Sequence, residues 1–337
     1  MLTPTERLKK TVGGKKADRP PCICPGGMMN MITADLMDLA GVYMPDAHAD
    51  AGMMANLAKA VYEKDCFENV GVPFCMTVEA EGMGAQVNLG TKIYEPHVVA
   101  YAIDTVADFP KLNHLNVNQG RAKTTLDAIR LLKQETAGIP VIGNLTGPIS
   151  TAASLMEPMI FYKELRKKNA AAHAYMEFVT DQLIAFGQAQ IAAGVDVIAI
   201  SDPSGTGEIL GPKHFKEFAV KYLNKLLAAI ERDQVNTIVH ICGQMRSVYK
   251  EINEVKSDVL SFDSIVPLKE ARQALGDRIL MGNVSTYALE FADEEKVKAI
   301  TQSCLKNGAD IISPACGLGM KSPLANVRAI LKCVKET

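Results

Sequence analysis

Several features that would mark a particular class of protein are missing from this sequence. It has no tryptophan, and aromatic residues make up 6% of the chain, so a binding pocket built from stacked aromatic rings is not indicated. No run of 18 apolar residues occurs, which argues against a membrane span. The formal net charge is −2, so the composition does not indicate a basic surface for nucleic acid.

Nucleotide-binding signatures are missing as well. No Gly-x-Gly-x-x-Gly follows the first predicted strand, and no Gly-x-x-x-x-Gly-Lys-Ser/Thr occurs anywhere. Both motifs depend on glycine-rich turns that let the backbone approach a phosphate group. A dinucleotide-binding fold and a P-loop fold therefore have little support.

The N-terminus and the cysteines indicate the cellular compartment. The first ten residues lack the apolar core of a secretory signal, so we expect a cytoplasmic protein. The eight cysteines are scattered through 337 residues, unlike a compact disulfide framework. In a reducing cytosol such cysteines are core residues, metal ligands or reactive thiols. A hydrophobic content of 48% fits a globular protein with a large core.

Short apolar segments alternate with segments of helical pattern along the chain. Each apolar segment is bounded by glycine, proline or small polar residues, as strands commonly are. The eight predicted strands, with the loops they enter, occupy residues 20–27, 69–76, 140–145, 194–203, 237–244, 259–263, 278–285 and 310–314. The predicted helices cover 3–12, 33–39, 53–64, 125–135, 156–193, 212–233 and 323–334, and a hairpin-like excursion passes through Val87 and Thr91.

This alternation predicts an α/β fold with a parallel sheet, either open or closed. Eight strands favour the closed (β/α)8 TIM barrel, whose length is typically about 250 residues before insertions. The extra length lies near the N-terminus and in the region 77–125. We therefore expect residues 1–337 to form a single TIM-barrel domain with N-terminal and early-loop additions.

Two side chains that commonly bind metals lie at the end of the fifth predicted strand. His240 and Cys242 are two residues apart, so both point to the same face of the strand. Imidazole and thiolate are good zinc ligands, and Cys316, after the eighth strand, is the best candidate for a third. Three protein ligands would leave the fourth position open, as catalytic zinc sites require. The alternative is that these are ordinary buried cysteines, which are common and usually inert.

The barrel prediction brings these residues together. Active sites of TIM barrels lie at the C-terminal ends of the strands. Loops after the fifth and eighth strands would face each other across the mouth of the barrel, so their separation in sequence is no obstacle. The polar residues expected at strand ends are Asn144, Asp202, His240, Cys242, Asp263, Asn283 and Cys316.

Six stretches, in order along nearly the whole chain, carry a family resemblance. They are Glu-Ala-Glu-Gly-Met-Gly at 79–84, Asn-Leu-Gly-Thr-Lys at 88–92, Ala-Ile-Ser-Asp-Pro at 199–203, His-Ile-Cys-Gly at 240–243, Gly-Asn-Val-Ser at 282–285 and Cys-Gly at 316–317. With them the chain resembles the corrinoid-dependent methyltransferases of the uroporphyrinogen decarboxylase superfamily. Within that superfamily it is most similar to the methylcobalamin:coenzyme M methyltransferases.

The resemblance implies a barrel, a zinc ion held by His240, Cys242 and Cys316, and methylcobalamin or another corrinoid carried by a partner protein. Decarboxylases of this superfamily carry an Arg-Gln-Ala-Gly-Arg segment after the first strand, which holds substrate carboxylates. The corresponding residues 24–31 contain no arginine. A lyase of the uroporphyrinogen decarboxylase type is therefore a less favoured alternative.

Further polar residues receive expected roles. Glu79, with Glu81, could approach the zinc ion when substrate is absent. Asp202 would act in the site or, as the structural alternative, cap a loop. Asp263 and Asn283 would hold the ligating histidine through its second ring nitrogen, as carboxylates and carbonyls commonly do. The candidate catalytic residues are Asp202, Asp263 and Glu79, the candidate substrate-binding residues are Asn144, Asn283 and Tyr287, and His48, His97, His114, His173 and His214 are interpreted as surface residues.

These residues lead to a chemical hypothesis. A thiol such as coenzyme M would lose its proton on zinc and attack the methyl group of a methyl-corrinoid. Alternatively, the metal would activate a methoxylated aromatic compound, whose methyl group would pass to a Co(I) corrinoid. A non-catalytic relative would be expected to have lost a zinc ligand, and none is lost here. The sequence leaves open the direction of transfer, the small substrate and the oligomeric state, a homodimer included.

Overall fold

The structure, a computed structural model, describes residues 2–230 and 235–337. Within these ranges, none of the helices combines the length and apolar character that crossing a membrane requires. A π-helical turn spans Phe215–Val220. The α-helices are α1 (Pro4–Val12), α2 (Ala34–Ala40), α3 (Ala51–Glu63), α4 (Val78–Gly82), α5 (Gly120–Glu135), α6 (Pro148–Leu155), α7 (Pro158–Lys167), α8 (Asn169–Ala193), α9 (Gly207–His214), α10 (Lys221–Ile230), α11 (Tyr249–Ile252), α12 (Leu268–Leu275), α13 (Thr286–Phe291), α14 (Glu294–Lys306) and α15 (Leu324–Lys335).

The central sheet is parallel, with helices between its strands, and it forms the predicted TIM barrel. Six strands pair in the order β1-β4-β5-β6-β7-β8. Every residue of β4, β5 and β7 is buried, as expected where helices cover the sheet. The strands are β1 (Val70–Val72), β2 (Gln86–Asn88), β3 (His97–Ala100), β4 (Val141–Thr146), β5 (Val197–Ser201), β6 (Asn236–Ile241), β7 (Val259–Phe262) and β8 (Ile279–Met281).

The first and eighth predicted strands close the barrel through isolated bridges. The Ile23 amide donates to the Ile312 carbonyl at 2.9 Å, and the Glu68 amide donates to the Cys22 carbonyl at 2.8 Å. On the other side, the Gly282 amide donates to the Ile311 carbonyl at 3.0 Å. Segments 20–27 and 310–314 thus occupy the predicted places between β8 and β1, although each pairs over only a few residues.

Close packing at the first segment explains one glycine. A Cβ atom on Gly71 would lie 2.0 Å from the Pro25 carbonyl oxygen, far inside contact distance. Only glycine lets the backbones of β1 and the 20–27 segment approach this closely. This approach positions the loop that follows Pro25 over the mouth of the barrel.

The N-terminal addition is anchored by a buried ion network. Helix α1 starts with a capping box between Thr3 and Glu6, and its Arg7 is 2% exposed. Arg7 Nη1 lies 2.8 Å from Glu68 Oε1, and Glu68 also pairs with Arg19. The Glu68 carboxylate accepts the Cys22 amide at 3.0 Å. The addition therefore stabilises the junction between the first segment and β1.

The early-loop addition is a two-stranded hairpin. Strands β2 and β3 pair antiparallel, which confirms the excursion predicted through Val87 and Thr91. The hairpin follows β1 and α4, on the side of the barrel where the strands end. It therefore contributes residues to the mouth.

Some predicted helix bounds require correction. The helix expected over 156–193 is broken into α7 and α8 at Lys168, whose backbone leaves the helical region. The helix expected over 212–233 begins earlier, contains a kink at Gly211 and passes through the π-helical turn. Its predicted end at Asp233 lies outside the described residues.

Candidate active site

The predicted metal ligands meet at the mouth of the barrel. His240 is the second-to-last residue of β6, and Cys242 follows the strand directly. Cys316 follows the bridge between Val284 and Pro314. The parallel register of β5, β6 and β7 sets the height of the histidine, because His240 pairs with Ser201 on one side and Ser261 on the other.

The three ligand atoms form a compact triangle. His240 Nε2 lies 3.3 Å from Cys242 Sγ, and Cys242 Sγ lies 3.6 Å from Cys316 Sγ. All ligand atoms of the three residues lie within 4.8 Å of one another. A tetrahedral ion with zinc-like bond lengths would separate two sulfurs by about 3.8 Å and a nitrogen from a sulfur by about 3.6 Å. The triangle therefore fits a tetrahedral metal ion with little movement.

The two thiols share the charge unevenly. A hydrogen bond from Cys242, with a smaller contribution from His240, lowers the pKa of Cys316 to about 5 despite its burial. The same hydrogen bond, together with burial, raises the pKa of Cys242, which keeps its proton. A thiolate facing a thiol and an imidazole is the arrangement from which a metal ion displaces the remaining proton.

The partner of the histidine differs from the prediction. His240 Nδ1 lies 2.9 Å from Ser261 Oγ, a fully buried hydroxyl, and not beside Asp263 or Asn283. Binding of a metal ion would place the ring hydrogen on Nδ1, facing Ser261 Oγ, and leave the Nε2 lone pair for the ion. Asp263 lies near Cys242, and the charge of Asp263 helps to raise the pKa of that thiol. Asp263 Oδ1 accepts a hydrogen bond from the Ile265 amide at 3.0 Å. Asn283 Nδ2 donates to the carbonyls of Asp263 and Val266, both at 2.9 Å.

Glu79 and Asp202 are buried carboxyl groups held by other elements. Glu79 accepts from the Thr146 amide at 2.7 Å and the Thr146 hydroxyl at 3.0 Å. Asp202 accepts from the amides of Ile149 and Ser150, at the N-terminus of α6. Burial raises the pKa of both carboxyl groups. For Asp202 these contacts are with the first turn of α6, whereas the structural alternative in the sequence analysis was the cap of a loop.

The remaining predicted residues lie at different depths. Asn144 is buried, and its Nδ2 donates to the carbonyls of Pro25 and Val72 at 2.9 and 3.1 Å. It therefore fixes the loop over the mouth. Tyr287 is 74% exposed on α13 and packs against Phe291 with ring centroids 4.8 Å apart. The surface interpretation of His48 is wrong, since that side chain is 1% exposed.

A cavity of about 320 Å³ opens on the same side of the barrel as the three candidate ligands, none of which lines it. Its wall residue Met28 lies beside the loop that carries Cys316, because a Cβ atom on Gly317 would be only 2.4 Å from the Met28 carbonyl oxygen. Thr77 and Cys75 form another part of the wall. The other lining residues include Gly27, Met76, Glu95, Pro96, His97, Val98, Tyr101, Ala153, Ser154, Pro158 and Ser204.

Sequence reasoning missed three features of this region. Ser261 could have been found by aligning the fifth and sixth predicted strands in parallel, which places it beside His240. Arg121 reaches Cys75 Sγ at 3.2 Å and Thr77 Oγ1 at 2.8 Å across 46 and 44 residues, and no local pattern signals such contacts. Glu95 enters the cavity from the hairpin, whose position relative to the barrel the sequence does not specify.

Comparisons with known proteins place this architecture in a family. The family model for uroporphyrinogen decarboxylase (URO-D) matches residues 3–337. The chain belongs to the uroporphyrinogen decarboxylase family. The resemblance expected from the motifs is thereby confirmed, over nearly the full length of the chain.

The similar members of the uroporphyrinogen decarboxylase family include methyltransferases. The methylcobamide:CoM methyltransferase MtbA of Methanosarcina acetivorans is 30% identical over 336 residues, covering 99% of this chain and 98% of its own. MtaA of Methanosarcina barkeri, with the same activity in its name, is 31% identical over 334 residues, covering 98% and 97%. A solved methyltransferase from Methanosarcina mazei matches with a TM-score of 0.90 and 29% identity, covering 100% and 99%.

Proposed function

We propose that this protein transfers a methyl group from a corrinoid, carried by a partner protein, to a small thiol. The observation that carries the proposal is the triangle of His240, Cys242 and Cys316 at the mouth of a barrel, beside a small cavity. The relatives named methylcobamide:CoM methyltransferases support the same reaction and suggest coenzyme M as one acceptor to test.

The donor set favours zinc as the metal. Two sulfur ligands and one imidazole are a usual set for this ion, and a buried hydroxyl orients the imidazole. When bound, zinc supplies an open fourth position at which a thiol loses its proton near neutral pH. The two cysteines contribute negative charge, which keeps a sulfur bound beside them electron-rich and nucleophilic.

The transfer itself balances without a further reactant. The substrate sulfur forms a bond to the methyl carbon, and the carbon–cobalt bond of the methyl-corrinoid breaks, with its electron pair staying on cobalt. The thiol proton goes to solvent. The chain contributes by holding the thiol in the cavity and excluding water from the sulfur, so that its attack on the methyl group is in line.

The rim of the barrel supports a protein partner. Large apolar side chains are exposed on the hairpin and the residues just after it, on α7 and on α13. Exposed apolar patches of this kind commonly mark interaction surfaces. The rim residues are Tyr94, Tyr101, Met159, Tyr287 and Phe291. We propose that the corrinoid protein docks on them and presents the methyl group to the cavity.

The cavity wall does not favour a decarboxylase. Within the described part of the chain, the residues that line the cavity include no lysine or arginine. A porphyrinogen with many carboxylates would meet no counter-charge there. The lack of arginine in residues 24–31 led to the same expectation, and two of those residues, Gly27 and Met28, line this cavity.

An anaerobic assay with free methylcobalamin tests the proposal. The zinc-loaded protein, incubated with a panel of small thiols, should convert at least one to its methyl thioether as Co(I) appears in the absorption spectrum. The Cys316→Ser variant should lose this activity, whereas Cys333→Ser, a buried position on α15, should keep it. Failure of the wild-type protein to methylate any thiol, including coenzyme M, would contradict the proposal.

A further inference from the structure

The cavity beside the metal ligands contains a carboxyl group without a counter-charge. Glu95 lines the cavity, and its carboxylate has neither an ion pair nor a hydrogen bond with any other described residue. The residue is exposed at the opening of the cavity. Partial burial of its carboxyl group, followed by the charges of Cys75 and Cys316, raises the pKa of Glu95 to about 7. The carboxyl group therefore lies close enough to Cys316 to be affected by its charge.

The arginine behind this wall is already engaged. Arg121 is 7% exposed and lies behind Cys75 and Thr77. Its Nε donates to Glu81 at 2.6 Å, and its two terminal nitrogens donate to the thiol and the hydroxyl. Its charge is therefore balanced by Glu81, and each of its three nitrogens already donates to a neighbour. It is not positioned to bind an anion within the cavity.

Size limits what the cavity can hold. At about 30 Å³ for each water-sized group, a volume of about 320 Å³ accommodates roughly ten non-hydrogen atoms. This is a short thiol with one polar group at its far end. Thr77, Ser154 and Tyr101 add hydroxyl groups to the same wall.

We propose that Glu95 selects the acceptor, and that the cavity binds the tail of a small thiol whose far end is a cationic amine, in preference to an anionic tail. The inference rests on the function proposed above. An ammonium group would pair with the carboxylate, whereas a sulfonate or carboxylate would face a like charge, with no lysine or arginine among the described residues of the wall. Coenzyme M carries a sulfonate, so this chain would differ from the named relatives in its preferred acceptor.

Three thiols of matched length test the selection directly. Cysteamine, 2-mercaptoethanol and 2-mercaptoethanesulfonate have cationic, neutral and anionic tails, respectively. Their binding to the zinc-loaded protein is measured by titration calorimetry at pH 8, for the wild type, Glu95→Gln, Glu95→Lys and the control Glu63→Gln. Glu63 is exposed at the end of α3 that leads to the start of β1, away from the mouth.

The wild type and the control should bind cysteamine at least about ten-fold more tightly than the sulfonate. Glu95→Gln should reduce this ratio to within about three-fold, and Glu95→Lys should reverse the order. Tighter binding of the sulfonate by the wild type, a ratio unchanged in Glu95→Gln, or binding of none of the three thiols would overturn the selection. If the predicted ratios hold but methylcobalamin methylates no bound thiol, the proposed function fails while the selection stands.

Discussion

The Sγ atoms of Cys242 and Cys316 lie 3.6 Å apart, although 74 residues separate the two cysteines in the sequence. The closed barrel makes this contact, because the loops after β6 and after the 310–314 segment both turn inward at the mouth. The contact also explains why the pKa values of the two thiols move in opposite directions. One thiolate and one thiol, with an imidazole beside them, form a preorganised candidate metal site.

Replacing Ser261 should weaken the metal site without disturbing the barrel. The Ser261→Ala variant loses the hydroxyl that orients His240, while the backbone pairing of β6 with β7 is unaffected. Loss of such a partner typically lowers metal affinity by about 10- to 100-fold. Competition with a zinc chelator measures the change, and the exposed Ser264→Ala variant serves as the control. Equal zinc affinity in Ser261→Ala and wild type would show that the hydroxyl does not orient the ligand.

Asp202 should prove to be a stabilising residue. In Asp202→Ala the N-terminal amides of α6 lose their buried acceptor, which should lower the free energy of unfolding by about 1–3 kcal/mol. Zinc content should stay the same, since the carboxylate is bound to α6. Denaturant unfolding and metal analysis of one preparation separate these effects. Loss of zinc at unchanged stability would support instead the catalytic role considered for Asp202.

His48 should make stability depend on pH. Burial, followed by the charge of Arg121, lowers the pKa of this histidine from 6.5 to about 4. Its contribution is therefore complete above pH 6.5 and is lost as the pH falls towards 4, by about 3 kcal/mol over the window. Unfolding measured between pH 4 and 7 should show a shallower slope for His48→Phe than for wild type. The surface variant His114→Phe should keep the wild-type slope, and identical slopes in all three proteins would refute the account.

Tyr287 and Phe291 should matter only when the corrinoid is carried by a protein. Their exposed rings form a pair at the rim, so the double change to serine should raise the KM for a methylated corrinoid protein by about ten-fold or more. Turnover with free methylcobalamin should not change. Tyr62→Ser, a partly exposed tyrosine on α3, is the matched control. A similar loss with free methylcobalamin would place the pair in the catalytic cavity and not on a docking surface.

Much of the fold could be predicted from the sequence because it depends on local patterns. Apolar segments ending in glycine or proline located the strands, and the alternation with helices led to the barrel. The three candidate ligands could be picked out because each lies where a predicted strand ends, and whether they bind a metal stays a prediction. Contacts made across the barrel could not be predicted in this way. The pairing of Arg121 with Cys75, the burial of His48 and the position of Glu95 depend on how loops pack, and no periodic signal encodes that packing.

The metal content of the purified protein is the most direct test of the central claim, that His240, Cys242 and Cys316 form a three-ligand zinc centre. Wild type and the Cys333→Ser control should each contain about one zinc per chain after anaerobic purification. His240→Ala, Cys242→Ser and Cys316→Ser should each lose it while keeping the wild-type circular dichroism spectrum. Wild-type protein without zinc after reconstitution, or variants that retain a full equivalent, would contradict the account.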